Sequence, residues 1–259
     1  MRTPERWAVA VRRPDGEIHS EVHRVDPSTL TRSALTRGLA ALSQAMSIGL
    51  RALRIAVRET TGVEPTAGQV RSTLVPIAIG VVALFVVAPG IFGAGEVDRT
   101  ADILEASARA AVLVIYLLAV SRSAGARRLF EYHGAEHKVI AAFEERGPQA
   151  TIEEAKARSP IHPRCGTSFI ALFVIVAGVV HAFAPRAPLW ANAAWRIALT
   201  PLDVAIAYEV MRVTARAERS LFARLISWPG RLLQRLTTRE PSADQLDVAR
   251  TALGAALRG

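Results

Sequence analysis

The sequence predicts a mainly α-helical integral membrane protein with about four transmembrane helices, preceded by an N-terminal β-hairpin and an amphipathic interfacial helix. Three observations carry that expectation. Of 259 residues, 51% are hydrophobic, and mean hydropathy is +0.24. The 21% that are charged gather in three blocks, leaving long stretches almost free of charge, the segregation that a bilayer imposes. Arginines flank those stretches, so the net charge of +9 reads as attraction to a membrane surface. No zinc finger, helix-turn-helix or aromatic-basic interleave suggests nucleic acid.

Residues 1–27 form the first element. "WAVAVRRPDGEIHSEVHRV" alternates on either side of Pro14-Asp15-Gly16, a turn triplet in which glycine can take positive φ, so a β-hairpin is expected. The opening residues lack the apolar run of a cleavable signal peptide, and insertion is expected to rely on an internal span. In residues 28–60, Leu35, Leu39, Leu42, Met46, Leu50, Leu53 and Val57 recur at three- and four-residue steps, with Arg37, Arg51, Arg54 and Arg58 mostly off that stripe. This is the pattern of an amphipathic helix at the membrane boundary.

A membrane domain follows over 72–213, with spans expected at 74–93, 101–120, 167–184 and 193–213. The first has no charge in twenty residues, about the length that a ~30 Å hydrocarbon core requires. The second carries Glu105 and Arg109, spaced i,i+4 so that they can pair. The fourth contains Asp203 and Glu209, and acids at membrane depth are usually turned inward. Lysine and arginine are distributed unevenly among the connections: eleven over 1–71, one over 94–102, eight over 121–166, one over 185–192 and eight after Val213. That asymmetry predicts cytoplasmic N- and C-termini, a cytoplasmic loop over 121–166 and a basic cytoplasmic tail over 214–259. The single cysteine, Cys165, excludes an internal disulfide framework.

Chemistry-bearing residues concentrate in the 121–166 loop. In "EYHGAEHKVI", residues 131–140, His133 and His137 are i,i+4 and share a helix face, with Glu136 beside them. Two imidazoles can bind a metal while a neighbouring glutamate acts as general base for bound water, the arrangement of inverted zinc-peptidase motifs. A solvated polar helix face would show the same five residues. The third ligand is open among Glu209, His162, Cys165 and Glu144, the last lying about 10 Å along the helix axis from His137. His162 and Cys165 stand in "SPIHPRCGTSF", where proline and glycine indicate a tight turn that could present both or merely cap the third span. The predicted orientation brings "EYHGAEHKVI", "HPRCG" and Glu209 to one membrane face. Lys138 is expected at the interface, and "QRLTT" in the tail has no role that spacing reveals.

"AVAVRRPDGEI", "FEYHGAEHKVIAAFE", "HPRCGTSF", "AYEVMR" and "PGRLLQRLTTREP" stand in an order and spacing that resemble the YqhQ family of bacterial membrane proteins. The resemblance covers nearly the whole chain. It implies a multi-span inner-membrane protein with a predicted metal-dependent activity, and carries over His133, Glu136, His137, His162, Arg164, Cys165 and Glu209 as motif positions. Family members generally open on a glycine-rich stretch ahead of the hairpin, whereas this chain starts at "MRTPERWAVAV". The expected function is a hydrolase-like membrane enzyme holding a divalent metal, zinc by preference, at the cytoplasmic face. Its substrate would be small, lipid-linked or peptidic, its surroundings the lipid bilayer, and self-association into a homo-oligomer is compatible with four spans. The competing expectation is a transporter or an assembly or regulatory factor using the same residues as a buried polar network.

Overall fold

The computed structural model describes residues 1–25, 33–82, 99–183, 189–217 and 219–258. Strands β1 (Arg6–Arg12) and β2 (Ile18–Arg24) pair antiparallel, with Arg6 opposite Arg24 and Arg12 opposite Ile18. The turn closes with Arg13 donating to the Glu17 carbonyl at 2.8 Å and Gly16 at φ 90°. This is the expected hairpin. Its buried Trp7 and Val11 pack with Ile55 of α1 (Ala34–Thr61), and Trp7 stacks on His23 at 4.3 Å. Helix α1 starts at an Ser33 cap and ends where Gly62 takes the left-handed conformation that L-residues avoid. Leu35, Leu42, Met46, Leu50 and Leu53 are left exposed on α1.

Helices α2 (Ala67–Val82) and α3 (Arg99–Ser121) come next. The span expected at 74–93 enters α2, and its remainder lies outside the described residues. Among the described residues one helical segment, Ile103–Ser121 in α3, is long and apolar enough to cross a membrane. The expectation at 167–184 corresponds to α6 (Gly166–Ala182), apolar but only 17 residues long. The expectation at 193–213 lies within α7 (Leu189–Arg216), 28 residues interrupted by Pro201 and by Arg196, Asp203, Glu209 and Arg212. The chain is mainly helical with an N-terminal hairpin, and among the described residues one of the four expected spans meets the length and composition of a membrane crossing.

Between α3 and α6 lie α4 (Ala124–Arg146), a short 3-10 turn, and α5 (Ile152–Lys156), which opens on a reciprocal capping box between Thr151 and Glu154. Two further helices, α8 (Leu221–Thr237) and α9 (Ala243–Arg258), show that the basic tail is folded. One core joins α4, α5 and α9 through Ala135, Val139, Ala142, Ala155, Leu246 and Ala249. Another joins α6 and α7 through Leu172, Phe173, Val174, Val204 and Ala207, with Ile226 of α8 against it.

Ion pairs cross the bundle interior. Glu105 of α3 accepts from Arg109 at 2.5 Å, the expected i,i+4 pair, and also from Arg196 of α7. Asp203, fully buried, accepts from His181 Nε2 at 2.9 Å, while His181 Nδ1 faces Arg109 at 3.1 Å and Arg196 at 3.4 Å. Guanidinium groups can only donate, so Nδ1 is the acceptor and His181 is the neutral Nε2–H tautomer. Two carboxylates thus balance two guanidinium groups.

Candidate metal centre

Helix α4 runs through Gly134, and that glycine serves a close approach. The chain after α8 crosses α4 there: Arg239 N–H donates to the Phe130 carbonyl at 2.9 Å, and a Cβ on Gly134 would lie 2.0 Å from the Arg239 carbonyl oxygen. That crossing brings the end of α8 against the histidine face of α4. His133 Nδ1 lies 2.8 Å from the Thr237 carbonyl oxygen, and His137 Nδ1 lies 2.5 Å from that of Pro160. Carbonyls only accept, so both rings carry a proton on Nδ1, and in the neutral form each offers an Nε2 lone pair.

Cys165 meets those lone pairs. It is the N-cap of α6, where its Sγ accepts from Thr167 N–H at 3.4 Å, and it lies 3.2 Å from His133 Nε2. Donor atoms of His133, His137 and Cys165 all fall within 4.8 Å of one another, and Cys165 and His137 are buried. Burial pushes the Cys165 thiol up, but hydrogen bonds from His133 and His137 and their charge more than offset it, bringing the group down to about 5. Burial also opposes charge on His133, yet the thiolate's hydrogen bond and charge, the Thr237 carbonyl and Glu136 together raise it.

Glu136 belongs to the same turn of α4, half-buried, and its charge acts on His133. Among the described residues it has no hydrogen-bond or ion-pair partner, which leaves its carboxylate available. The other expected ligands are committed elsewhere. His162 Nε2 faces Glu144 at 3.3 Å, and its Nδ1 accepts from Arg164 N–H at 3.3 Å, so neither nitrogen is open. Glu144 also holds the Arg164 guanidinium at 2.6 Å. Glu209 grips Arg37 of α1 with both oxygens and lies 3.6 Å from Arg212. Its expected arrival at the same membrane face as the histidines made it a candidate third ligand, but in the structure it is engaged by Arg37 of α1. The third member of the group is Cys165.

Several supporting residues had no legible signal. Gln234, buried completely, accepts from His162 N–H and donates to the His162 carbonyl and the Ser168 hydroxyl, each bond within 2.7–2.8 Å. It fixes the turn that presents Cys165, and this is what "QRLTT" does. Lys138, expected at an interface, is buried and ties Lys156 O at 2.8 Å to Glu240 at 2.5 Å. The carbonyls of Thr237 and Pro160 carry no side-chain signature at all; a glycine inside a helical pattern was the sole hint of a close crossing. A second cluster, His19, Glu21 and Glu59, also brings donors within 4.8 Å. Arg13 and Arg58 neutralise its carboxylates, so it does not resemble a vacant ligand set.

The donor set fits zinc. Soft thiolate and borderline imidazole are its preferred ligands, and three protein donors leave a fourth position open as in catalytic sites. The 3.2 Å between Sγ and Nε2 is close to the roughly 3.5 Å separation that tetrahedral bonds of about 2.3 Å and 2.0–2.1 Å produce. Both imidazoles donate their other N–H to a backbone carbonyl, the support that metal-binding histidines almost always have.

A family model described as a protein of unknown function, DUF1385, matches residues 34–259. The "Uncharacterized protein YqhQ" of Bacillus subtilis (strain 168) is 30% identical over 278 residues, covering 97% of this chain and 87% of that protein. No solved structure matches.

Proposed function

The chain belongs to the YqhQ (DUF1385) family, and from that premise we propose that it is a metal-dependent, hydrolase-like enzyme of the inner membrane, with a zinc site at the cytoplasmic face. The observation that carries the proposal is the pair of imidazoles whose Nδ1 protons are held by Thr237 and Pro160 carbonyls while their Nε2 atoms converge with the Cys165 thiolate. When bound there, a divalent metal would supply a Lewis acid and lower the pKa of a bound water to about 7. The chain's own part is separable. His133, His137 and Cys165 hold the ion, the two carbonyls and Thr167 N–H orient them, and the free Glu136 carboxylate takes a proton. The substrate class is a small, lipid-linked or peptidic hydrolysable compound.

Four spans, with both termini cytoplasmic, remain the arrangement we propose for the membrane domain. Its support is the apolar α3, the shorter apolar α6, the inward-turned charges of α7 and the lysine and arginine asymmetry of the connections. Metal analysis of protein purified without chelators tests the site. The native chain is expected to hold one equivalent of zinc, His137→Ala to lose it, and Glu136→Gln to keep it while losing hydrolysis. A native protein without bound metal, unaffected in cells by His137→Ala, would sink the proposal.

One observation favours a second reading, a non-catalytic membrane protein: Asp203 Oδ1 is buried without a partner among the described residues, inside the charged network of α3, α6 and α7. That reading requires Asp203→Asn to reproduce a deletion in cells while His133→Ala is silent. The enzyme reading expects His133→Ala to match the deletion.

A further inference from the structure

Helix α8 has two opposed faces, and the metal centre depends on one of them. On the packed face Ala223, Gly230, Leu233, Gln234 and Thr237 are buried. Gly230 approaches α6 so closely that a Cβ would come within 2.6 Å of Ser168 Cα. Through Gln234 and the Thr237 carbonyl this face positions the Cys165 turn and His133.

The other face carries Leu221, Phe222, Leu225, Trp228 and Leu232, which are 44–72% exposed. At 3.6 residues per turn they share a stripe about 120° wide. Arg224, Arg231 and Arg235 run along one flank of it, exposed and without ion-pair partners among the described residues. Water would leave the aromatic stripe unsatisfied, and an apolar protein groove would leave the arginines unsatisfied. An anionic lipid surface accommodates both, taking leucine and aromatic rings at the acyl boundary and guanidinium groups at the phosphates. Placement agrees, because α8 begins just after α7 ends at Arg216 and packs on the first turn of α6 at Ser168. Both are the helix ends that the proposed topology assigns to the inner face.

We infer that α8 lies in the plane of the inner leaflet as a membrane-surface anchor for an anionic bilayer, and that it thereby holds the His133, His137 and Cys165 group at headgroup depth. The inference rests on the membrane reading above, and Ile115, exposed on α3, provides the separate control. Full-length protein with Cys165→Ser would carry a nitroxide at Leu225→Cys, Trp228→Cys or Ile115→Cys in vesicles containing anionic phospholipid. Collision rates with oxygen and with a water-soluble nickel chelate would then be compared. All three positions are expected to favour oxygen, with 225 and 228 shallower than 115. If 115 favours oxygen while 225 and 228 meet the chelate, or meet neither quencher because a second copy or another protein covers them, the in-plane helix is overturned and the spans stand. Chelate access at 115 overturns the membrane reading and the inference with it. The unlabelled protein gives an independent measure. Brominated lipid is expected to quench native tryptophan fluorescence more than that of Trp228→Phe, and equal quenching contradicts the inference.

Discussion

Cys165 shows how far a residue's chemistry depends on its neighbours. Its thiol, brought to about 5 chiefly against the cost of burial, is ionised at neutral pH, where an ordinary thiol near 8.5 is only a few per cent thiolate. A depressed group contributes stability that is complete above its unfolded value and is lost as pH falls through its folded one. His133 is raised, so its contribution runs the other way, present at low pH and lost as pH rises through its elevated value. The thiolate–imidazolium pair of metal-free protein therefore occupies the window above about pH 5 and below the raised value of His133. Thiolate ultraviolet absorbance of metal-free protein is expected to disappear on acidification with a midpoint near pH 5. His133→Ala, which removes a hydrogen bond and a positive charge, moves that midpoint upward. An unchanged midpoint in the variant would mean that the pair does not form.

Among elements, α4 and α8 are made for each other. Gly134→Ala forces a methyl group against the Arg239 carbonyl, 2.0 Å away, and the chain crossing cannot relax without losing the Arg239 bond to Phe130. A loss of about 1–3 kcal/mol is expected, the usual range for overpacking, although alanine is the better helix former. Thermal unfolding in a fixed detergent checks it; a stabilised variant would contradict the crossing. Gln234→Ala strands the buried amide N–H of His162 at about 1–3 kcal/mol. The same change loosens the Cys165 turn, so chelator competition should find zinc affinity lowered on the order of tenfold. The histidine pair was legible because an α-helix places i and i+4 on one face. The pairing of Glu209, one of four candidates for the third ligand, was not legible, because nothing in its own neighbourhood in the chain announces Arg37, which stands on a different helix.

For the molecule as a whole, buried charge distinguishes this bundle from an ordinary apolar one. Glu105 holds both Arg109 and Arg196 in the interior, so Glu105→Gln leaves uncompensated cation. Its expected cost is about 3–5 kcal/mol. Arg146 and Glu154, at 58% and 33% side-chain exposure, form a surface pair, and Arg146→Gln is expected to change stability by less than about 1 kcal/mol. Equal effects in parallel unfolding measurements would show that the network does not carry the bundle. The same network explains why α7, unlike the Ile103–Ser121 segment of α3, does not satisfy the length and composition of a span. Its charges point inward, where composition alone cannot distinguish a paired arginine from a solvated one.

By itself the sequence determined the helical class, the N-terminal hairpin, the Glu105–Arg109 pair and the residues from which the imidazole–thiol cluster is drawn. Each depends on periodicity or on contacts within a few positions, which local geometry dictates. Only the tertiary structure decided that Cys165, rather than Glu209 or His162, completes the group with His133 and His137. It also decided that Thr237, Pro160 and Gln234 support that group. Those choices depend on which oppositely charged or hydrogen-bonding atom reaches a side chain first across the packed helices. Such competition is settled by distance in space, which the order of residues along the chain does not encode locally.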